Sequence, residues 1–181
     1  MKYSIDWLLQ QEGSKNDYLF FWGHTQKRPD VIDKSCFSQW YPAPFKVNDI
    51  VYQTAEHWMM AKKALLFNDR DAFSKIVQAG KPAIAKAIGR EVKNFDAAIW
   101  EAHAYDIVVE GNYYKFSQHA SLTTFLLQTG KKVIVEASPV DAIWGIGLAQ
   151  DAVEAQHPSK WKGTNLLGFA LMEVRDKLNL R

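Results

Sequence analysis

The segment Thr54-Ala55-Glu56-His57-Trp58-Met59-Met60-Ala61-Lys62-Lys63 predicts an apolar helix with an acidic residue in its first turn. Thr54 is a suitable N-cap, and neither Gly nor Pro interrupts the run from Ala55 to Phe67. Because a helix repeats every ~3.6 residues, Glu56, Met60 and Lys63 fall along one stripe. The segment therefore predicts a helix that carries a carboxylate and, two turns later, an ammonium group.

Glu56 has two interpretations on these residues alone. A carboxylate beside Trp58 and Met60 would be partly desolvated, and desolvation raises a carboxyl pKa toward the range useful for acid/base catalysis. A glutamate in a first helical turn often only complements the helix dipole. The sequence leaves both interpretations open.

Composition indicates a globular protein. The chain has 181 residues, of which 48% are hydrophobic and 23% charged, and this predicts one domain that buries about 70% of its unfolded surface. A net charge of +2 is far below the excess of positive charge expected of a protein that binds nucleic acid independently of sequence. A nucleic-acid partner is therefore possible but not favoured.

Residue usage also bears on compartment and cofactors. The single cysteine, Cys36, excludes an intramolecular disulfide and fits a reducing cytosol. The N-terminal apolar run is too short for a signal peptide, and no run approaches the ~20 apolar residues of a membrane span. The five histidines show no metal-ligand spacing. We expect a cytoplasmic protein without a metal, a cofactor or a membrane segment.

Local patterns predict mostly helices with a few short strands. Predicted strands lie at 18–22, 45–47, 50–52 and 132–136, with Asn48-Asp49 as a hairpin turn. Predicted helices lie at 4–11 (a short turn or helix), 55–67, 69–79, 82–88, 120–129 and 164–180. A long helix with a core-facing stripe is predicted from Phe95, Ala98, Ile99, Ala102, Tyr105, Val109, Tyr113 and Phe116. Residues 23–36 and 137–163 are predicted to be loops.

The second loop contains another candidate motif, Glu136 to Leu148. Two carboxylates, Glu136 and Asp141, occur there with Trp144, Gly145 and Gly147, and glycine permits close approach of the backbone to a ligand. Alternatively, Asp141 caps a turn and Trp144 is a core aromatic residue. The Gly-x-Gly pair lacks the rest of a Rossmann or Walker fingerprint.

Further candidates are a cation and several aromatic residues. Arg90 follows the predicted helix 82–88 and would suit a phosphate, although arginines at helix ends often only satisfy carbonyls. Phe21, Trp22 and Trp144 would stack a base, although core packing is the default for an aromatic residue. Ser38 lies in no nucleophile elbow, so covalent serine catalysis is not indicated.

Taken in order, these motifs resemble the NADAR family of YbiA-like N-glycosidases over residues 18–178. The matching segments are Phe20-Phe21-Trp22, Phe37-Ser38-Gln39-Trp40, Thr54-Ala55-Glu56-His57-Trp58, Ala61-Lys62-Lys63, Ile88-Gly89-Arg90, Trp100, Val135-Glu136-Ala137, Asp141-Ala142-Ile143-Trp144-Gly145-Ile146-Gly147, Asn165-Leu166-Leu167-Gly168 and Leu171-Met172-Glu173-Val174-Arg175. Gln39 stands where the family often has Asn, and Ile146 where some members carry Asp. The segment 149–161 is also longer than in compact members.

The resemblance implies a helix-rich α+β domain over 18–181, preceded by an extension with a short helix at 1–17. It implies hydrolysis of the N-glycosidic bond between a ribose phosphate or ADP-ribose and a nitrogenous base, without metal or cofactor. The substrates would be early riboflavin-pathway intermediates or ADP-ribosylated guanine. The alternatives are a non-catalytic module that binds ADP-ribose or a nucleotide, and a repair enzyme that acts on ADP-ribosylated guanine in DNA.

The same resemblance assigns roles to the candidate residues and leaves the oligomeric state open. Glu56 is the first carboxylate, Asp141 the second and Glu136 the third. The implied substrate-binding residues are Phe21, Trp22, Ser38, Lys63, Arg90, Trp144, Gly145, Gly147 and Asn165. Among them Lys63 and Arg90 would hold phosphate, and the aromatic residues would stack the base or wall the sugar.

Overall fold

The structure is a computed structural model that describes residues 1–11 and 17–180. Residues 12–16, within the predicted extension, and Arg181 lie outside the described residues. The described elements, in chain order, are α1 (Ile5–Gln10), β1 (Tyr18–Phe21), β2 (Phe45–Val47), β3 (Ile50–Tyr52), α2 (Ala55–Leu66), α3 (Arg70–Gln78), α4 (Pro82–Arg90), α5 (Ala97–Ser117), α6 (Ala120–Gln128), β4 (Val133–Glu136) and α7 (Leu166–Asn179). The predicted helix-rich α+β class is confirmed.

The described chain forms two compact units. The terminal unit contains Met1–Ser38 and Ser121–Arg181, and the middle unit contains Gln39–Ala120. The boundaries predicted for an extension and a single domain stay a prediction. None of the described helices is both long and apolar enough to cross a membrane.

In the terminal unit, β1 pairs in parallel with β4, and α7 packs on β4. Gly168 allows this packing, because a Cβ at that position would collide with the carbonyl oxygen of Ile134. The buried Arg175 fastens the far end of α7, since its Nη1 donates to Thr129 Oγ1 at 2.9 Å and to Lys132 O at 2.8 Å. The carboxyl ends of both strands thus lie at one edge, followed by the loops that carry the predicted residues.

In the middle unit, the antiparallel hairpin β2–β3 leads directly into α2, which packs against α3, α4 and α5. The hairpin turn is confirmed, since Asn48 and Asp49 have φ of 47° and 65°, the left-handed values of a tight turn. Thr54 caps α2 as predicted, with its Oγ1 accepting from the backbone N–H of His57. α2 is the central helix of this unit.

The buried face of α5 differs from the predicted stripe. Phe95 and Ile99 are each 46% exposed, and Ala98 and Ala102 are also exposed. The buried positions of α5 are Ala104, Val108, Val109, Gly111, Asn112, Lys115 and Phe116. The first half of the predicted stripe was wrong, whereas Val109 and Phe116 are buried as predicted. The reason is that α5 meets α2 through its second half, where Gly111 admits the Trp58 ring and the polar side chains of Asn112 and Lys115 are also buried.

Both predicted loops contain short 3-10 turns. Lys34–Phe37 forms one, started by Asp33, whose carboxylate accepts from Ser35 N at 2.9 Å. Val153–Gln156 and Pro158–Lys160 form two more within 137–163. A 3-10 segment of three or four residues is too short to show a periodic pattern of apolar residues, which is why the sequence does not indicate it.

Candidate active site

In the middle unit, Glu56 occupies the first turn of α2 and is 4% exposed. Its backbone N–H donates to Gln39 O at 2.9 Å, while Thr54 caps the next residue. The N–H groups of Glu56 and His57 therefore have acceptors, as the orphan N–H groups of a helix start require. The arrangement fixes a buried carboxylate at the positive end of the α2 dipole.

His57, which the sequence analysis did not single out, anchors the same turn. Its Nε2 lies 2.9 Å from Ala79 O and its Nδ1 lies 2.8 Å from Thr54 Oγ1. A carbonyl only accepts, so Nε2 carries the proton and Nδ1 accepts from the hydroxyl. Burial lowers the pKa of His57, which keeps the ring neutral. The Thr-x-x-His spacing was the available signal.

Lys63 lies two turns along the same stripe and is also buried. Its Nζ donates to Gly89 O at 2.8 Å, and it lies 4.1 Å from the ring centroid of Phe95 and 5.5 Å from that of Trp100. Burial lowers the pKa of Lys63. Gly89 permits the close crossing of α4 over α2, because a Cβ there would collide with Met60.

Arg90 follows Gly89 as the last residue of α4, and its side chain is exposed. The bond between Lys63 and Gly89 therefore brings the two predicted phosphate-binding cations to the same end of α4. Lys63 already uses one of its three donors on a helix carbonyl, so it also has a structural contact that sequence did not reveal. Both phosphate roles stay predictions.

In the terminal unit, Phe21 is paired with Glu136 at the ends of the parallel strands, and Phe21 O accepts from Ala137 N at 2.8 Å. Phe21 is fully buried and packs edge-on against Phe37, with centroids 5.5 Å apart. Trp22 follows and is 60% exposed. Of these two aromatic residues, Trp22 has the surface that stacking on a base needs.

Asp141 shapes the loop that follows β4. Its Oδ1 accepts from the backbone N–H groups of Ile143 at 2.9 Å and Trp144 at 2.8 Å, and its carbonyl accepts from Gly147 N at 3.1 Å. Gly147 has a φ of 66°, which favours glycine. The turn-capping alternative for Asp141 is therefore observed, and the capping uses one of its two carboxylate oxygens.

Asn165 ties this loop to β4 and α7. It is fully buried with a φ of 54°; its Oδ1 accepts from Glu136 N at 2.9 Å and its Nδ2 donates to Ile134 O at 3.0 Å. Its backbone N–H donates to Gly145 O at 3.0 Å. The structure thus brings Glu136, Asp141, Gly145 and Asn165 into one hydrogen-bonded assembly.

Ser38 ends the 3-10 turn Lys34–Phe37, with its backbone N–H donating to Ser35 O at 3.1 Å, and is half-buried. Trp144 is half-buried as well, and its carbonyl accepts from Leu167 N at 3.1 Å. Among residues 1–11 and 17–180, no group of three or more His, Cys, Asp or Glu side chains is placed to hold a metal ion.

The chain belongs to the NADAR family: the NADAR domain model matches residues 20–179. N-glycosidase R617 of Acanthamoeba polyphaga mimivirus is 49% identical over 166 residues, 88% of this chain and 95% of its own length. N-glycosidase YbiA of Escherichia coli K12 is 32% identical over 149 residues, 82% of each chain. The NMR structure of E. coli YbiA has a TM-score of 0.73 and 28% identity, covering 92% of this chain and 88% of that one.

The predicted family and class of activity are confirmed by these relatives. The protein is an N-glycosidase, a hydrolase that acts on N-glycosyl compounds.

Proposed function

We propose that the protein hydrolyses the N-glycosidic bond between a ribose phosphate or ADP-ribose and a nitrogenous base. The observation that carries the proposal is Glu56, a carboxylate only 4% exposed in the first turn of a helix whose stripe continues to Lys63. Loss of a base creates oxocarbenium character at the anomeric carbon. A carboxylate shielded from water stabilises such a cation far better than a solvated one does.

The remaining roles follow from charge and from which atoms are already engaged. Lys63, whose Nζ donates to Gly89 O, and Arg90, the next residue of α4, are the proposed phosphate ligands. Asp141 uses Oδ1 for its turn, so Oδ2 is the oxygen proposed to position water or a ribose hydroxyl. Glu136 is the third candidate carboxylate. Trp22 and Trp144 are the proposed stacking residues, ahead of the buried Phe21.

Two substrate classes remain in the proposal: ribosylaminopyrimidine 5′-phosphates of the riboflavin pathway, and ADP-ribosylated guanine, free or in DNA. A reducing cytoplasm is the proposed compartment, since Cys36 has no second cysteine with which to form an intramolecular disulfide. A module that binds nucleotide without hydrolysis is not proposed, because the relatives named above are N-glycosidases.

The test is base release by the Glu56→Gln variant. Wild-type protein is incubated separately with a ribosylaminopyrimidine 5′-phosphate, ADP-ribosylated guanosine and an oligonucleotide with ADP-ribosylated guanine, and the freed base is chromatographed. Glu56→Gln should lower the single-turnover rate by at least ~100-fold, the scale of a lost acid/base group, with an unchanged thermal midpoint. Glu101→Gln, on the exposed face of α5, is the control. Near-normal turnover by Glu56→Gln would remove Glu56 from the chemistry, and no release from any substrate by the wild type would refute the proposed substrates.

A further inference from the structure

Gln39 lies beside Glu56, with its carbonyl oxygen accepting from the Glu56 N–H at 2.9 Å. Its side chain reaches Asn112 of α5, whose Nδ2 donates to Gln39 Oε1 at 2.8 Å and to Val108 O at 2.9 Å. Asn112 is fully buried, and Gln39 is 8% exposed, so it adjoins the surface. All four residues belong to the middle unit.

The hydrogen bonds fix the orientation of both amides. Val108 O only accepts, so the Asn112 atom that faces it must be the nitrogen. That nitrogen then faces Gln39, whose atom at the contact must be the oxygen. The Gln39 Nε2 consequently points away from Asn112 and cannot be exchanged with Oε1 by an amide flip.

This orientation leaves Gln39 Nε2 buried and without a hydrogen-bond acceptor among the described residues. A primary amide nitrogen carries two N–H donors, and buried donors in native proteins are nearly always paired. Asn112 Oδ1 is likewise without a donor within the described chain, so the pair is not a closed network. Gln39 is also bonded through its backbone carbonyl to the turn that carries Glu56. Unpaired donors that a neighbouring side chain holds in place are typical of a ligand-binding group.

We propose that Gln39 binds a carbonyl oxygen of the leaving base through its Nε2 donors, with Asn112 as the residue that positions it. The proposal rests on the proposed function, in which Glu56 faces the sugar. A neutral amide suits a neutral carbonyl, whereas a phosphate is better matched by Lys63 and Arg90.

The contact would strengthen during the reaction. As the bond between the anomeric carbon and the base nitrogen breaks, its electron pair stays with the base and negative charge develops on the carbonyl oxygen. Water adds to the anomeric carbon, and the proton that it loses ends on the base. Donors fixed before the reaction stabilise this developing charge without reorganisation, so Gln39 acts on the rate more than on ground-state binding.

The first test is Gln39→Met, which keeps the length of the side chain and removes both donors. It should lower the single-turnover rate of base release by roughly 10- to 100-fold, the scale of one hydrogen bond to a charged group, with KM changed less than threefold. Gln53→Met, the same change at an exposed glutamine of the middle unit, should leave the rate unchanged. A wild-type rate for Gln39→Met, or a loss that only follows the folded fraction at the assay temperature, would overturn the proposal.

The second test is Gln39→Glu, which keeps the acceptor for Asn112 but offers an O–H donor only when it is protonated. The rate of Gln39→Glu divided by the wild-type rate should therefore rise as the pH falls. A ratio that does not change with pH would show that the donors do not contact the base. Failure of the proposed function is distinguishable, because the wild type itself would then release no base from the ribosylaminopyrimidine 5′-phosphate or ADP-ribosylated guanosine.

Discussion

Replacing Lys63 with Met separates a phosphate ligand from a structural lysine. In the structure Nζ donates to Gly89 O at 2.8 Å and lies 4.1 Å from the Phe95 centroid. A hydrogen bond to a charged group contributes about 1.5–3 kcal/mol, and a cation–π contact about 0.5–2 kcal/mol. Burial of the ammonium, which lowers the pKa of Lys63, offsets part of this gain. We expect the free energy of unfolding to fall by about 1–3 kcal/mol.

Arg90→Met is the matched control, because Arg90 ends the same helix but is exposed. Loss of an exposed side chain usually changes stability by less than about 0.5 kcal/mol. Thermal unfolding should therefore distinguish the two variants: the midpoint falls by roughly 2–10 °C for Lys63→Met and hardly changes for Arg90→Met. An unchanged midpoint for Lys63→Met would refute the stabilising contact inferred from the Gly89 carbonyl and the aromatic rings.

Binding tests the phosphate role separately from stability. In a Glu56→Gln background, in which turnover is expected to be at least ~100-fold slower, calorimetry would compare a ribosylaminopyrimidine 5′-phosphate with its dephosphorylated nucleoside. Each of Lys63→Met and Arg90→Met should weaken the phosphorylated ligand by about ten- to a hundredfold and the nucleoside hardly at all. Equal losses for both ligands would refute the phosphate role, and a loss in Arg90→Met alone would make Lys63 purely structural.

Three further outcomes are expected. Asp141→Asn should lower the single-turnover rate at least ~100-fold with the turn intact, because an amide oxygen still accepts both backbone bonds; full activity in it and in its Glu136→Gln double would leave this loop only a packing role. Gly168→Ala should lower the free energy of unfolding in urea by about 2–4 kcal/mol, because the new Cβ would meet a carbonyl of β4. Gly80→Ala, which has open space around it, should have almost no effect. Equal urea midpoints for the two variants would contradict the packing of α7 on β4. The wild type should lose stability relative to His57→Gln as pH falls below 6.5. The reason is that the pKa of His57 is lowered in the folded state, so the unfolded chain binds more protons than the folded one. A difference in unfolding free energy that does not vary between pH 5 and 7 would exclude a buried neutral imidazole.

The elements that sequence predicted well are those whose signals are local. Thr54 is an N-cap for the uninterrupted helix that follows it, and Asn48-Asp49 is a pair that tolerates positive φ between two apolar runs. Both features depend on interactions within a few residues, so no knowledge of distant packing was needed. Residues 55–67 and the hairpin were therefore predicted almost at their observed boundaries.

The buried face of α5 and the polar pair at Gln39 depend on distant partners. Apolar periodicity detected the helix, but it counted Phe95 and Ile99 as core and had no means of marking Asn112 as buried. The Nδ2 of the buried Asn112 donates to Val108 O and to Gln39 Oε1, and Gln39 is far away in sequence. Whether a polar residue can be buried depends on where its hydrogen-bond partner lies in the folded structure. A local sequence pattern does not contain that information.

The burial of Glu56 bears on its two interpretations, and the choice between them stays a prediction. A glutamate that only complements a helix dipole gains about 0.3–1 kcal/mol, and it can do so from the solvated surface of the first turn. Glu56 is only 4% exposed, so its position carries a desolvation cost, and the N–H groups of Glu56 and His57 already have Gln39 O and Thr54 Oγ1 as acceptors. The carboxylate is thus not needed to cap α2. The proposed function adds a role for this carboxylate in the reaction, and the rate of Glu56→Gln measured against its stability is where the two interpretations differ.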